Sequence, residues 1–155
     1  MIPQEGVTIE AVSGLLDDAV IDWTLTGGEN LYVTGLDVPL WVEHEPEPGR
    51  ITLQTYWPVR PEADDFEVLR LANLCNSSLV MVQFWFDADK RRLFGQYVLP
   101  CRDGLNRRQF IRALRSFAEI FRIALREKDE EDVLCDKLGD GSGAAAATST
   151  RTGSD

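Results

Sequence analysis

A zinc site or a nucleophile paired with histidine needs residues this chain barely has. It holds one histidine, His44, and three cysteines, Cys75, Cys101 and Cys135, spaced too widely for a ligand pair two to four residues apart. His44 stands between Glu43 and Glu45. In a strand, successive side chains take opposite faces, so those glutamates do not converge with the ring, and His44 reads as an exposed polar residue. Asp87 and Asp89 open like a calcium loop, but the later glycine and glutamate are missing and Lys90-Arg91-Arg92 would repel a cation. A hairpin turn is the simpler reading. Asp64-Asp65 suits a helix start and Asp17-Asp18 a solvated helix face. Gly27-Gly28 leads into Glu29 rather than Lys-Ser/Thr and a helix, so it does not cradle phosphate, and no Gly-x-Ser-x-Gly elbow occurs. Two carboxylates working as acid and base depend on a separation in space that sequence does not give. No catalytic, cofactor-binding or metal-binding residue is assigned, and no cofactor is expected.

The remaining chemistry is that of surfaces. Arg108, Arg112 and Arg115 fall on one face of a helical segment that also carries Arg107, Arg122 and Arg126. That stripe either meets the acidic first half or takes an anionic partner. Among the aromatics, Trp41 and Tyr56 lie on the faces opposite their strands' most apolar sets, where partly exposed rings anchor interfaces. Candidate partner-binding residues are therefore Trp41, Tyr56, Arg108, Arg112 and Arg115.

The elements that position these residues follow from periodicity. Thr8 caps a helix whose Ile9, Val12, Leu16 and Ala19 share a face, ending near Asp22. Trp23 to Thr26 favours a strand and leads into the Gly27-Gly28 turn. Strands follow at Asn30–Thr34, Val38–Glu45 and Ile51–Trp57, the last with Ile51, Leu53 and Trp57 on one side and Thr52, Gln54 and Tyr56 on the other. Pro39 inside the second run predicts an edge position or a bulge. Arg60-Pro61 with Glu62, Asp64 and Asp65 opens a second helix whose Val68, Leu71, Ala72 and Cys75 form an apolar stripe. Leu69 and Leu74 widen it, predicting a well-buried helix. Leu79 to Phe86 is apolar on both sides and predicts a central strand, turned back at Asp87 to Lys90 into Leu93–Leu99. Asn106 and Gln109 have capping-box spacing before Phe110, Leu114, Phe117, Phe121 and Leu125.

Composition bounds the rest. The 155 residues, 44% of them hydrophobic, suit one domain, placed at 1–135, with a disordered tail at 136–155. Met1 to Glu5 do not open a secretory signal, and no apolar run approaches the length of a membrane span, so a cytoplasmic protein with no membrane contact is expected. The odd number of cysteines fits a reducing compartment. The formal net charge of −10 is divided sharply: residues 1–69 carry −12, 70–126 carry +7 and 127–155 carry −5. That balance disfavours nucleic acid as a partner of the whole protein, and the asymmetry fits attraction within the fold or across a symmetric dimer.

The stretch Phe66-Glu67-Val68-Leu69-Arg70-Leu71-Ala72-Asn73-Leu74-Cys75-Asn76, then Phe84-Trp85-Phe86-Asp87, Tyr97-Val98-Leu99-Pro100, Gly104 and the helix from Asn106-Arg107-Arg108-Gln109-Phe110, resembles the YbjN-like family of bacterial sensory transduction regulators. The resemblance covers residues 7–128. It implies an α+β fold similar to type III secretion chaperones, helices packed on a twisted antiparallel sheet in the order α-β-β-β-(β)-α-β-β-α. It also implies a dimer that binds proteins or polypeptides without catalysis, and names no catalytic residues. The leading expectation is a homodimeric adaptor or chaperone-like regulator. The alternatives are a small-ligand or metal-binding enzyme using Asp87 or Asp89 near the basic stripe, and a nucleic-acid binder using the third helix.

Overall fold

The computed structural model of the protein describes residues 1–136. Helix α1 (Ile9–Asp18) begins as its sequence dictates: the Ala11 N–H donates to the Thr8 hydroxyl at 3.1 Å, and Val12, Leu15 and Leu16 are buried. It stops short of Asp22 because a Schellman closure intervenes. The Ile21 N–H donates to the Leu16 carbonyl and the Val20 N–H to the Asp17 carbonyl, both at 3.0 Å. The closure holds residue 20 at φ 57°, in the left-handed region that favours glycine, yet the residue is Val20.

Strands β1 (Trp23–Thr26), β2 (Asn30–Val33), β3 (Leu40–Glu45) and β4 (Arg50–Pro58) form a meander. Helix α2 (Asp65–Ser78), the hairpin of β5 (Gln83–Asp87) and β6 (Arg92–Pro100), and helix α3 (Arg107–Ile123) complete the order. All strand pairs are antiparallel, in one sheet ordered β1-β2-β3-β4-β6-β5. The expected element order is therefore observed, with Trp23–Thr26 as the extra strand.

Alternation along each strand sends Leu31, Val33, Leu40, Val42, Ile51, Leu53, Trp57 and Leu93 to the face the helices cover, where they join the buried side chains of all three helices in one core. The Trp57 indole N–H reaches the Cys135 carbonyl at 2.8 Å. This ties the segment after α3 to β4, as does the backbone bridge between Val59 and Leu134. α3 approaches the sheet closely because residue 95 is glycine. A Cβ there would lie 2.8 Å from two ring carbons of Phe121, which stacks on Phe84 with centroids 5.7 Å apart.

Four expectations are corrected. β3 is an interior strand, since Pro39 precedes it and so costs no ladder hydrogen bond. β5 is an edge strand, not a central one. It is apolar on both faces because Phe84 enters the core while Trp85 packs with aromatics on the opposite face. The edge is covered at Phe84, whose N–H and C=O are both bonded, each at 2.9 Å, by the side-chain amide of Asn76. α2 starts at Asp65, after a turn at 61–63, and its outer leucines are not buried. The tail expected at 136–155 lies outside the described residues apart from Asp136.

Candidate functional site

The sheet face turned away from the helices carries a chain of rings across five strands. Tyr32 on β2 meets Trp41 on β3 at 5.1 Å, and Trp41 stacks on Tyr56 of β4 at 5.4 Å and 7°. Tyr56 meets Phe94 of β6 at 5.4 Å, and Phe94 stacks on Trp85 of β5 at 5.1 Å and 6°. The sheet register produces the chain by placing Tyr32 opposite Trp41, Tyr56 opposite Phe94 and Trp85 opposite Phe94. The Arg92 guanidinium caps Tyr56 at 4.2 Å from the ring centroid. Trp41 and Tyr56 lie on the sheet face their strand alternation predicts, though Tyr56 is buried rather than partly exposed; Tyr32, Trp85, Phe94 and Arg92 join them through pairing that is non-local. Tyr56 is buried by its neighbours, while Trp41 and Trp85 stay partly exposed. Burial, and secondly the neighbouring Tyr56, pushes the Tyr32 phenol up. At the end of this face Glu45 accepts from Arg50 Nε at 2.6 Å and from Thr52 Oγ1 at 2.9 Å, and these bonds, Arg50 first, hold its carboxyl below the ordinary range.

Arg108, Arg112 and Arg115 are brought together as their spacing requires. All three are exposed and line one open groove of about 520 Å³ between α1 and α3, with Leu15, Ala19 and Ile111 as its apolar residues. Among the described residues none of the three forms an ion pair with the acidic first half. Asp18 and Glu119 also line the groove, but among the described residues the ion pair that joins α3 to the first half is Arg122 with Asp37, at 3.6 Å.

A third surface was not foreseen. Phe66, Leu69 and Leu74 on the outer side of α2 are 63%, 53% and 41% exposed, and they line a depression of about 510 Å³ bordered by Lys128 and Glu130. The apolar width of α2 was visible in sequence; what failed was the inference that width means burial.

The residues weighed for chemistry have structural occupations. One carboxylate oxygen of Asp87 accepts the Lys90 N–H at 3.0 Å, closing the hairpin turn. Asp65 is paired with Arg91, whose guanidinium also donates to the Ala63 carbonyl at 2.8 Å and so fixes the start of α2 against the hairpin. Asp17 accepts the Trp23 indole N–H at 2.7 Å. His44, half-buried, lines a cavity of about 750 Å³ with Glu5, Glu29 and Cys101. Among the described residues, no three His, Cys, Asp or Glu side chains gather where they could hold a metal ion. Nor, among them, is any helix long and apolar enough to cross a membrane.

Solved structures resemble the fold to differing degrees. The crystal structure of YbjN from E. coli, described as a putative transcription regulator, superposes with a TM-score of 0.72 at 18% identity, over 84% of this chain and 97% of that one. The ExsC–ExsE complex gives 0.51 at 13% identity, over 84% and 100%. The HopA1–SchA chaperone–effector complex gives 0.47 at 11% identity, over 68% and 88%. No curated protein matches significantly. The fold is α+β, helices packed on one antiparallel sheet, as the sequence resemblance implied. Residues 8–130 match the family model described as "putative bacterial sensory transduction regulator", and the chain belongs to that family, YbjN.

Proposed function

We propose that this protein is a non-catalytic, cytoplasmic regulator that works by binding polypeptides and does so as a homodimer. The observation that carries the dimer is the outer face of α2. Apolar side chains on a soluble surface are ordinarily scattered singly, and a contiguous patch marks an interaction site. Phe66, Leu69 and Leu74 line one depression with Asn73 and Ser77, and all three leave most or much of their apolar surface in solvent. Glu67 and Arg70, 3.4 Å apart, line the same depression with one charge of each sign. A two-fold axis across such a helix brings each charge toward its opposite on the second copy, the self-complementarity an isologous contact requires.

Dimerisation leaves the aromatic sheet face and the α1/α3 groove available for other chains. The partly exposed Trp41 and Trp85, with Tyr56 between them, have the amphipathic ring character that anchors protein interfaces. The names of two fold neighbours describe a chaperone–effector complex and a two-protein complex, which agrees with a binding role for this scaffold.

Sedimentation equilibrium tests the dimer. Wild-type protein is expected to be dimeric at micromolar concentration, and Phe66→Asp to be monomeric with its circular dichroism unchanged, since the ring contributes little to the core. A wild type that stays monomeric at 100 micromolar, or a variant that dimerises as well as wild type, overturns this reading.

A further inference from the structure

Resting on the polypeptide-binding reading above, we infer that the groove between α1 and α3 takes a short acidic, amphipathic helix of a partner protein. The first support is charge. In a chain of formal net charge −10, Arg108, Arg112 and Arg115 stand together on one exposed helix face. None has an ion pair among the described residues, and neither do the nearby carboxylates Asp18 and Glu119. With Arg107 on the same rim, four guanidiniums face two carboxylates, so the excess is cationic. The second support is the floor. Leu15, Ala19 and Ile111 make it apolar, and the groove is open to solvent. A small anion or nucleotide is ordinarily enclosed over most of its surface; this groove instead fits a rod laid along it.

The third support is Val20. It follows Ala19 directly, is 91% exposed, and is held at φ 57° where glycine would relieve strain. A β-branched residue kept in that conformation with its methyls in water gains nothing for the fold. Next in the chain to Ala19, though not itself in the groove lining, it gains something if a bound helix covers its methyls. The arginines recur at i, i+4 and i+7, so the matching partner carries Asp or Glu at i, i+4 and i+7, or i+3 and i+7 when antiparallel, beside an apolar stripe. The span from Arg108 to Arg115 corresponds to about 10 Å of helix, or two turns of the partner.

A display library of randomised 18-residue helical peptides, selected on the full chain, tests this. Enrichment is expected for acidic residues at those spacings beside leucine-like ones, with affinity that falls as salt rises. Reversing each arginine (R108E, R112E, R115E) should weaken the selected peptide roughly fivefold, and the triple variant should lose it. Val20→Gly should weaken it while melting no lower than wild type, an outcome a purely structural Val20 would not give. Phe66→Asp should bind it unchanged, which separates failure of the dimer from failure of the groove. No enrichment, enrichment of non-acidic peptides, or full binding to the triple variant overturns the inference. So does tighter binding of an oligothymidylate or of anionic vesicles through the same arginines.

Discussion

Placing alanine at residue 95 tests the contact that sets α3 on the sheet. The new Cβ would lie 2.8 Å from Cδ2 and Cε2 of Phe121 and 3.2 Å from Cγ1 of Val82. Carbon atoms prefer roughly 3.5 to 4.0 Å, so the ring must retreat by about 0.7 Å or more. It has little room, being fully buried and stacked on Phe84. Overpacking of this kind costs about 1–3 kcal/mol. Against that, replacing glycine inside a strand recovers about 0.5–1 kcal/mol of conformational entropy. The net expectation is a loss of about 1–2 kcal/mol, or roughly 2–8 °C in Tm for a chain of this size. Urea unfolding followed by tryptophan fluorescence should show the midpoint fall with the slope unchanged, since the surface exposed on unfolding is the same. A cycle with Phe121→Leu sharpens the test. Phe121→Leu alone leaves a cavity, but in the Gly95→Ala background it makes room for the methyl, so the double variant should be more stable than the two losses added. A Tm equal to or above wild type for Gly95→Ala, or strict additivity in the cycle, refutes the reasoning.

Two further expectations concern other parts of the molecule. Asn76→Ala removes both hydrogen bonds to the backbone of Phe84 and should cost about 1–2 kcal/mol in thermal and urea unfolding while promoting self-association seen by light scattering; an unchanged midpoint would show that the edge does not need its cover. Burial pushes the Cys75 thiol from its ordinary 9.0 to about 12. The folded state therefore holds that proton more tightly, so the contribution is complete below pH 9 and lost as pH rises toward 12, a decline of roughly 4 kcal/mol in unfolding free energy. Native protein at pH 8 should leave Cys75 unreactive to a thiol reagent while Cys135 reacts first; rapid labelling of Cys75 would contradict this.

Where the controlling chemistry is local, the sequence was enough. Thr8 and Asn106 accept the capping N–H groups of Ala11 and Gln109 because a cap is a matter of three residues. Ile51, Leu53 and Trp57 alternate inward because one strand decides its own faces. The arginine stripe was legible for the same reason. What failed depended on partners distant in the chain. Leu69 and Leu74 have the pattern of core residues, and periodicity says how wide a stripe is, not what covers it. The run before Phe86 suggested a central strand because two apolar faces read alike whether the second is covered by a helix or by a neighbour's rings. Trp41 and Tyr56 were found, but the five-ring chain needed the order β2-β3-β4-β6-β5, which no local signal carries. Val20 escaped notice altogether, since nothing in the letters around it announces a left-handed backbone.

The amide of Asn76 also limits how copies of this protein can add to one another. A sheet with two open edges is a repeating unit, since each copy added presents a fresh edge and the assembly lengthens without end. Here the β5 side ends in a side chain that imitates a neighbouring strand for one residue and then offers nothing further to pair with. The β1 side, Trp23–Thr26, is the other end of the sheet. If two copies met there, each end of the joined sheet would be a β5 edge already bonded at Phe84. Asn76 thus closes one backbone position of the β5 edge to an incoming strand.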